Sequence, residues 1–249
     1  MTAPSLSVVV PAYNEARRLP ASLARVRAYL QRLGREHEIV VVDDGSSDTT
    51  SQVARDAGAD VRVLRHEPNR GKGYAVRRGM LAATGARRLI TDADLSTPIE
   101  ELAKLEAKLE RGFDVAIGSR AVAGAIIEVH QPAYREAMGR LFNRFVQALL
   151  LPGLRDTQCG FKLFTARAAQ AAFSVSSLDG FSFDVEALYV ARHQGLRIAE
   201  VPVTWRNDAA TRVGLGGGAA AFADLARIRL RARRGAYGAP GGTAGGPPT

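Results

Sequence analysis

The constraint that most narrows the fold of this chain is a repeated alternation of short apolar runs with helical patterns. "LSVVVPAYNE" and "EIVVVDDGSSD" are β-branched runs of strand length that each break off into polar residues, as strands buried on both faces of a parallel sheet do. Between them, Arg17 to Leu33 places Leu19, Leu23, Val26 and Leu30 on one helical face. The three segments make a β-α-β unit. "DVRVLRHEP", "RRLITDAD" and "DVAIGSR" read as further strands, with "GYAVRRGMLAAT" and "IEELAKLEAKLERG" as helices, the last stopped by Gly112. The expected fold is α/β: a single Rossmann-like, doubly wound, mostly parallel sheet with right-handed crossovers.

Composition sets the bounds. The 249 residues, 46% hydrophobic and 24% charged, suit one large soluble domain. A single cysteine, Cys159, excludes an intramolecular disulfide and offers no zinc spacing, which fits a reducing compartment. A strand pattern begins at Leu6 in place of a signal peptide. No apolar run reaches the roughly 18 residues of a membrane span. A net charge of +9, from 34 Lys and Arg against 25 Asp and Glu, points to anionic partners. From Gly235 the sequence is rich in Gly and Pro, so the expected organisation is a domain over 1–235 ending in a basic helix, then a disordered tail over 236–249.

In open α/β sheets ligands lie outside the carboxyl ends of the strands. The first strand delivers Tyr13, Asn14 and Glu15 there, and the second Asp43, Asp44 and "GSSD". A Gly-flanked Lys72 in "NRGKGYA" follows the third; with Arg70 it supplies positive charge for a diphosphate. "LITDADLSTP" adds Asp92 and Asp94. If Arg88 to Thr91 ends a strand, period-two alternation turns both carboxylates to one side. Oxygen ligands with room for water suit Mg²⁺ or Mn²⁺. The alternative is helix capping by Asp94 or Ser96, with Pro98 opening the helix and Glu100 and Glu101 in its first turn. Asp48 reads equally as a helix cap and Gly45 as a turn glycine. Neither a dinucleotide G-x-G-x-x-G after the first strand nor a P-loop is present.

"VVVPAYNE", "VVDDGSSD", "NRGKGYAVRRGM" and "DADLSTP" resemble, in order, the motifs of the family 2 glycosyltransferases of the GT-A fold. "RDTQCGFKLFTARAA", "FSFDVEALYVA" and "EVPVTW" are similar to the polyprenyl and dolichyl-phosphate sugar transferases, most of all their dolichyl-phosphate glucosyltransferase branch, over roughly residues 5–235. The resemblance implies an inverting transfer from a nucleotide-sugar donor, UDP-glucose, to a polyprenyl phosphate. It implies that Pro11, Tyr13, Glu15 and Asp44 contact the nucleobase and ribose. Asp92 and Asp94 become the metal-binding Asp-X-Asp, with Asp94 the direct ligand. Mannose-transferring relatives carry a glutamine two places after the second aspartate, where this chain has Ser96. Arg120, Arg135 and Arg212 match phosphate-binding cations, Arg212 loosely, because Thr211-Arg212 stands where the family has Ser-Lys. Asp156 joins the catalytic group, and with Asp184 it orients these arginines or the sugar hydroxyls; Glu186 can equally face solvent.

A phosphate monoester has a second pKa of about 6, so such an acceptor arrives as an anion and needs no base. Leu141, Phe142, Phe145, Val146, Leu149 and Leu150 form a helical stripe beside Arg140 and Arg144, which suits core packing or a bilayer interface. "DLARIRLRARRG" is basic enough to attract anionic lipid, although Arg229 interrupts its apolar side. Nucleic acid is not expected as a partner, since the basic segment lacks interleaved aromatics. The expectation is a peripheral protein on the cytoplasmic face of a membrane. A transferase for a soluble hydroxyl acceptor, which would need a general base, and a non-catalytic nucleotide-sugar module are the other readings.

Overall fold

A computed structural model describes residues 4–207 and 218–239. Its central sheet has seven strands in the order β3-β2-β1-β4-β7-β5-β8, namely β1 (Leu6–Ala12), β2 (His37–Asp43), β3 (Val61–Arg65), β4 (Arg87–Ile90), β5 (Val115–Ser119), β7 (Lys162–Thr165) and β8 (Ile198–Pro202). All neighbours pair in parallel except β7, which runs antiparallel to both β4 and β5. A small second sheet pairs β6 (Ile126–Val129) with β9 (Thr204–Arg206).

The strand sequences are continuous apolar runs because both faces are covered. Along β1, Leu6, Val8 and Val10 face one core while Val9 faces the other. The first core takes its helical side from α1 (Leu19–Leu33) and α4 (Leu102–Glu110), through Leu19, Leu23, Leu102 and Leu105. The second is closed by α3 (Lys72–Ala82), α6 (Ala166–Val175) and α7 (Phe183–His193). The helices α5 (Ala133–Leu149) and α8 (Gly218–Arg233) cover its far side with Phe142, Val146, Leu225 and Ile228. The short α2 (Thr50–Arg55) connects β2 to β3.

Four expectations need revision. First, β4 stops at Ile90 and a turn follows, so Asp92 and Asp94 stand beyond the strand's end as expected but strand alternation does not set their directions; the Leu95 N–H donates to the Asp92 carbonyl at 3.1 Å, and Leu95 takes φ 49°. Second, the helix after Pro98 opens with a 3₁₀ turn, Ile99–Glu101, and neither Asp94 nor Ser96 caps it. Third, the α5 stripe divides: Phe142, Val146 and Leu150 are buried, whereas Leu141, Phe145 and Leu149 are exposed. Three- and four-residue steps alternate round a helix, so one run of six apolar residues serves two faces. Fourth, the tail expected from residue 236 does not begin there, because Tyr237 is fully buried against the second core. Residues 240–249 lie outside the described structure.

Candidate active site

The exits of β1 and β2 are tied together at the sheet edge. Asn14, at φ 54°, accepts the Ser47 and Asp48 N–H groups on Oδ1 at 2.8 and 3.3 Å, and its own N–H donates to Ser46 Oγ at 2.8 Å. Such a left-handed conformation favours asparagine among residues with a side chain. Pro11 is buried within β1, and Tyr13 emerges half exposed. Glu15 forms a two-point ion pair with Arg18, at 2.7 Å to Nε and 2.5 Å to Nη2.

Asp43 is wholly buried and accepts the Ser46 N–H at 2.8 Å and the Ser51 hydroxyl. Asp44 is nearly as buried, and its carboxylate accepts from His66 Nε2 at 2.7 Å, Asn69 Nδ2 at 2.9 Å, and the N–H groups of Arg70 and Gly71 at 2.8 and 2.9 Å. These four donors fill both oxygens. Asp44 therefore holds the 66–71 loop, and through it the start of α3. Gly45, at φ 74°, is the turn glycine: an added Cβ would lie 2.7 Å from the Asn69 nitrogen.

Lys72 opens α3 and reaches across to β4's exit, where its Nζ lies 2.6 Å from Asp92 Oδ1. Behind that carboxylate stands Gly160. A Cβ there would fall 2.0 Å from Asp92 Oδ2, so residue 160 must be glycine for Asp92 to sit where it does. Asp94 Oδ1 accepts the Ser96 N–H at 2.9 Å. Burial, then the neighbouring Asp92 charge, push the Asp94 carboxyl up. Burial opposes the charge on Lys72, but Asp92 and Asp184 outweigh it and raise its pKa. Beneath lies a second pair, Lys162 Nζ to Asp184 Oδ1 at 2.7 Å, both buried, with Lys162 also donating to the Cys159 carbonyl. Burial pushes the Asp184 carboxyl up despite both lysines.

Asp156 grips Arg120 at three points: its oxygens accept from Nε at 2.7 Å, Nη2 at 2.9 Å and the Arg120 N–H at 2.9 Å. Glu200 fixes that loop by accepting the Arg155 and Asp156 N–H groups at 2.9 and 2.8 Å. The guanidinium lies 5.2 Å from the Trp205 ring. Burial alone would raise the Asp156 carboxyl, but Arg120 holds it below the usual range. Asp156 is thus committed to Arg120. Arg135 stands apart in the first turn of α5, its Nε 3.2 Å from Tyr134 Oη. Arg212 lies outside the described residues. Glu186 does not face solvent; it is fully buried in α7.

The carboxylates of Asp92 and Asp94 fit a divalent cation by their chemistry. Asp92 Oδ1 is buried and paired with Lys72 Nζ at 2.6 Å, and the donor set is all oxygen. Among the described residues no cluster of three or more Asp, Glu, His or Cys could hold a metal. Two carboxylates, with water and substrate oxygens completing the shell, are the usual provision for Mg²⁺. A cleft of ≈ 380 Å³ opens beside Asp94, lined by Ser22, Arg25, Ser96, Arg206 and Asn207 among others.

Sequence reasoning missed Lys162 and the wall made by Gly160. The signal for the first was a lysine inside an apolar strand, "GFKLF", which burial allows only opposite a carboxylate.

The model of glycosyl transferase family 2 matches residues 7–173. Dolichyl-phosphate beta-glucosyltransferase from Homo sapiens is 38% identical, over 93% of this chain and 77% of that protein. Its counterpart from Saccharomyces cerevisiae is 33% identical, over 93% and 76%. Among solved structures, mannosyl-3-phosphoglycerate synthase from Rubrobacter xylanophilus superimposes with a TM-score of 0.72 at 20% identity, over 93% of this chain and 75% of that one. Glucosyl-3-phosphoglycerate synthase from Mycobacterium tuberculosis, in complex with Mn²⁺, UDP and glucosyl-3-phosphoglycerate, gives 0.67 at 20% identity, over 93% and 80%. The sheet is that of the GT-A glycosyltransferases, and identity over nine-tenths of the length reaches well beyond the motifs; the chain is a glycosyltransferase of family 2, on the branch of its dolichyl-phosphate beta-glucosyltransferase relatives.

Proposed function

We infer that this glycosyltransferase moves glucose from UDP-glucose to a polyprenyl phosphate of the dolichyl type, with inversion and with Mg²⁺ or Mn²⁺ held by Asp92 and Asp94. The observation that carries the reading is the 38% identity to a dolichyl-phosphate beta-glucosyltransferase over 93% of the chain. Lys72, kept charged beside Asp92, takes up the negative charge of the donor diphosphate. Tyr13, Pro11, Glu15 and the loop held by Asp44 receive the nucleoside. A cation at Asp92 and Asp94 supplies neutralisation of the leaving diphosphate. The acceptor phosphate oxygen forms a bond to the anomeric carbon as that carbon's bond to the UDP oxygen breaks, and the electron pair leaves with UDP. Arg120, Arg135 and Arg212 are the cations for the acceptor phosphate.

No proton has to be removed from a phosphate dianion. That agrees with the state of Asp156 and Asp184, each committed to an ion pair at 2.7 Å. A hydroxyl acceptor would need a positioned general base. Among the described residues no helix is long and apolar enough to cross a membrane. The protein reaches its lipid by docking on the cytoplasmic face, where the exposed side of α5 meets the acyl boundary and the arginines of α8 meet anionic headgroups.

The test is incubation with labelled UDP-glucose, GDP-mannose or UDP-N-acetylglucosamine and a short-chain polyprenyl phosphate. UDP-glucose should give the highest kcat/KM and a β-linked glucosyl phospholipid. A higher value with another donor overturns the sugar, faster transfer to a sugar hydroxyl overturns the acceptor, and donor binding without transfer leaves a binding module.

A further inference from the structure

We propose that Glu186 and Tyr237 are positioning residues for Lys72, acting through the 177–180 loop that clamps the first turn of α3. The inference rests on the reading of Lys72 as the ligand of the donor diphosphate. The loop meets α3 closely. Gly73 and Tyr74 donate their N–H groups to the Asp179 carbonyl at 2.7 and 3.3 Å, and Arg77 and Arg70 pair with the Asp179 carboxylate at 2.5 and 3.3 Å. The glycines on either side of Lys72 are what permit this approach. A Cβ at Gly71 would fall 2.5 Å from the Asp179 carbonyl oxygen, and one at Gly73 would fall 2.5 Å from that of Leu178 and 2.7 Å from that of Gly180. In "RGKG" the two glycines thus face protein backbone, and the lysine between them is aimed by what they touch.

The other end of the loop is fixed by a buried carboxylate. Glu186 Oε2 accepts the Ser177 and Leu178 N–H groups at 2.8 and 2.7 Å, and Oε1 accepts the Ser177 hydroxyl at 3.1 Å. Tyr237, beyond the last helix, donates its hydroxyl to the same Oε1 at 2.8 Å, with Arg231 Nε 3.6 Å away. Both Glu186 and Tyr237 are fully buried. A desolvated carboxylate with one cation at 3.6 Å is costly, and what it secures is the orientation of four backbone and side-chain donors. The path runs from the segment after α8 through Tyr237, Glu186 and the loop to the helix turn that carries Lys72.

The experiment measures UDP affinity by calorimetry with Mn²⁺, and donor and acceptor KM and kcat, on the full chain. Variants are Lys72→Met, Tyr237→Phe, Glu186→Ala, Glu186→Gln and Lys72→Met combined with Glu186→Ala. Loss of one charge-assisted hydrogen bond in Tyr237→Phe should raise UDP Kd and donor KM about threefold, and loss of the whole anchor in Glu186→Ala about tenfold. The acceptor KM should not move. Glu186→Gln, which keeps an acceptor for the two N–H groups, should recover most of the affinity. In the Lys72→Met background Glu186→Ala should add almost nothing. If Lys72→Met itself leaves UDP affinity unchanged, the diphosphate reading of Lys72 falls. If Lys72→Met weakens UDP while folded Tyr237→Phe and Glu186→Ala bind it normally, or if the effects of Glu186→Ala and Lys72→Met multiply, the positioning role alone is wrong. Should Glu186→Ala fail to fold, Tyr237→Phe, which removes one oxygen, decides.

Discussion

A methyl group on residue 160 has nowhere to go except into Asp92, whose Oδ2 would be 2.0 Å away. The carboxylate is the far end of a flexible side chain, so the Gly160→Ala protein should fold and turn its Asp92 aside. We predict at least about a tenfold loss in both Mn²⁺ affinity and transfer, since misplacing a reacting group by an ångström is costly; the melting temperature should move little. Paired Mn²⁺ titration and thermal melts check this. Unchanged metal affinity would show that Asp92 is not a ligand. Asp94→Asn removes a charge while nearly keeping shape, and transfer should drop at least about 10²-fold. Turnover by Asp94→Asn that equals wild type in a chelator would exclude a metal role for that residue. Asp92 and Asp94 stand out in the sequence because they are polar where the run before them is apolar, and Lys72 because glycines flank it. What sequence could not show was occupancy: Asp44 looks as available as Asp92, yet its oxygens are filled by four donors from a loop more than twenty residues away.

Among the described residues, α5 carries more exposed large hydrophobic side chains than any other element. Tyr134, Met138, Leu141, Phe145 and Leu149 follow one another at three- and four-residue steps and are all about half exposed. Phe145 also meets Phe222 of α8 edge-on, with ring centroids 5.2 Å apart, so the two helices share one face. An exposed stripe of this kind marks an interaction site. Replacing Leu141, Phe145 and Leu149 together by serine should lower affinity for anionic vesicles by about tenfold or more. Transfer to a short-chain phosphate should be retained. Flotation with vesicles checks the first and a soluble-acceptor assay the second; equal losses in both assays would mean that the helix supports the fold and not the membrane. Apart from the short α2, the alternating strands and helices up to β5 could be read from sequence because their periods are clean. The antiparallel β7 could not, since "KLFT" is four residues long and its neighbours in the sheet are fixed by distant partners.

At the scale of the whole molecule, acid stability has a definite sign. Burial tends to raise the carboxyls of Asp156, Glu38 and Asp60, but their partners win: Arg120 for Asp156, Ser7 and Thr84 for Glu38, and Arg27 for Asp60. A carboxyl lowered in the folded state stabilises it above the ordinary carboxylate pKa, and that contribution disappears as pH falls through the folded value. Asp94 and Asp184 are raised, so protonating them on the way down to about pH 4 relieves a strain of opposite sign. The melting temperature should therefore be nearly flat to about pH 4 and fall steeply below it. Asp156→Asn should cost about 3 kcal/mol at neutral pH, because it strands Arg120, and should flatten the acid limb. Denaturant titrations at pH 7 and pH 3 measure both. A Tm that begins to fall well above pH 5 would contradict the assignment.

The reversed strand β7 also has a consequence in time. The block β3-β2-β1-β4 is built from residues 6–90, and its pairings are closed by short crossovers. The loop carrying Gly160 reaches Asp92 only after the chain has gone out through β5, β6 and α5 and returned in the opposite direction between two strands already laid down. Closing that long excursion is the entropically slow step. The proposed cation site is thus encoded in the first half of the chain and finished by the second. During refolding, helix and sheet signals should recover before Mn²⁺ affinity does, and under the proposed metal role a newly made chain would take up its cation only after the last wall of the site arrives.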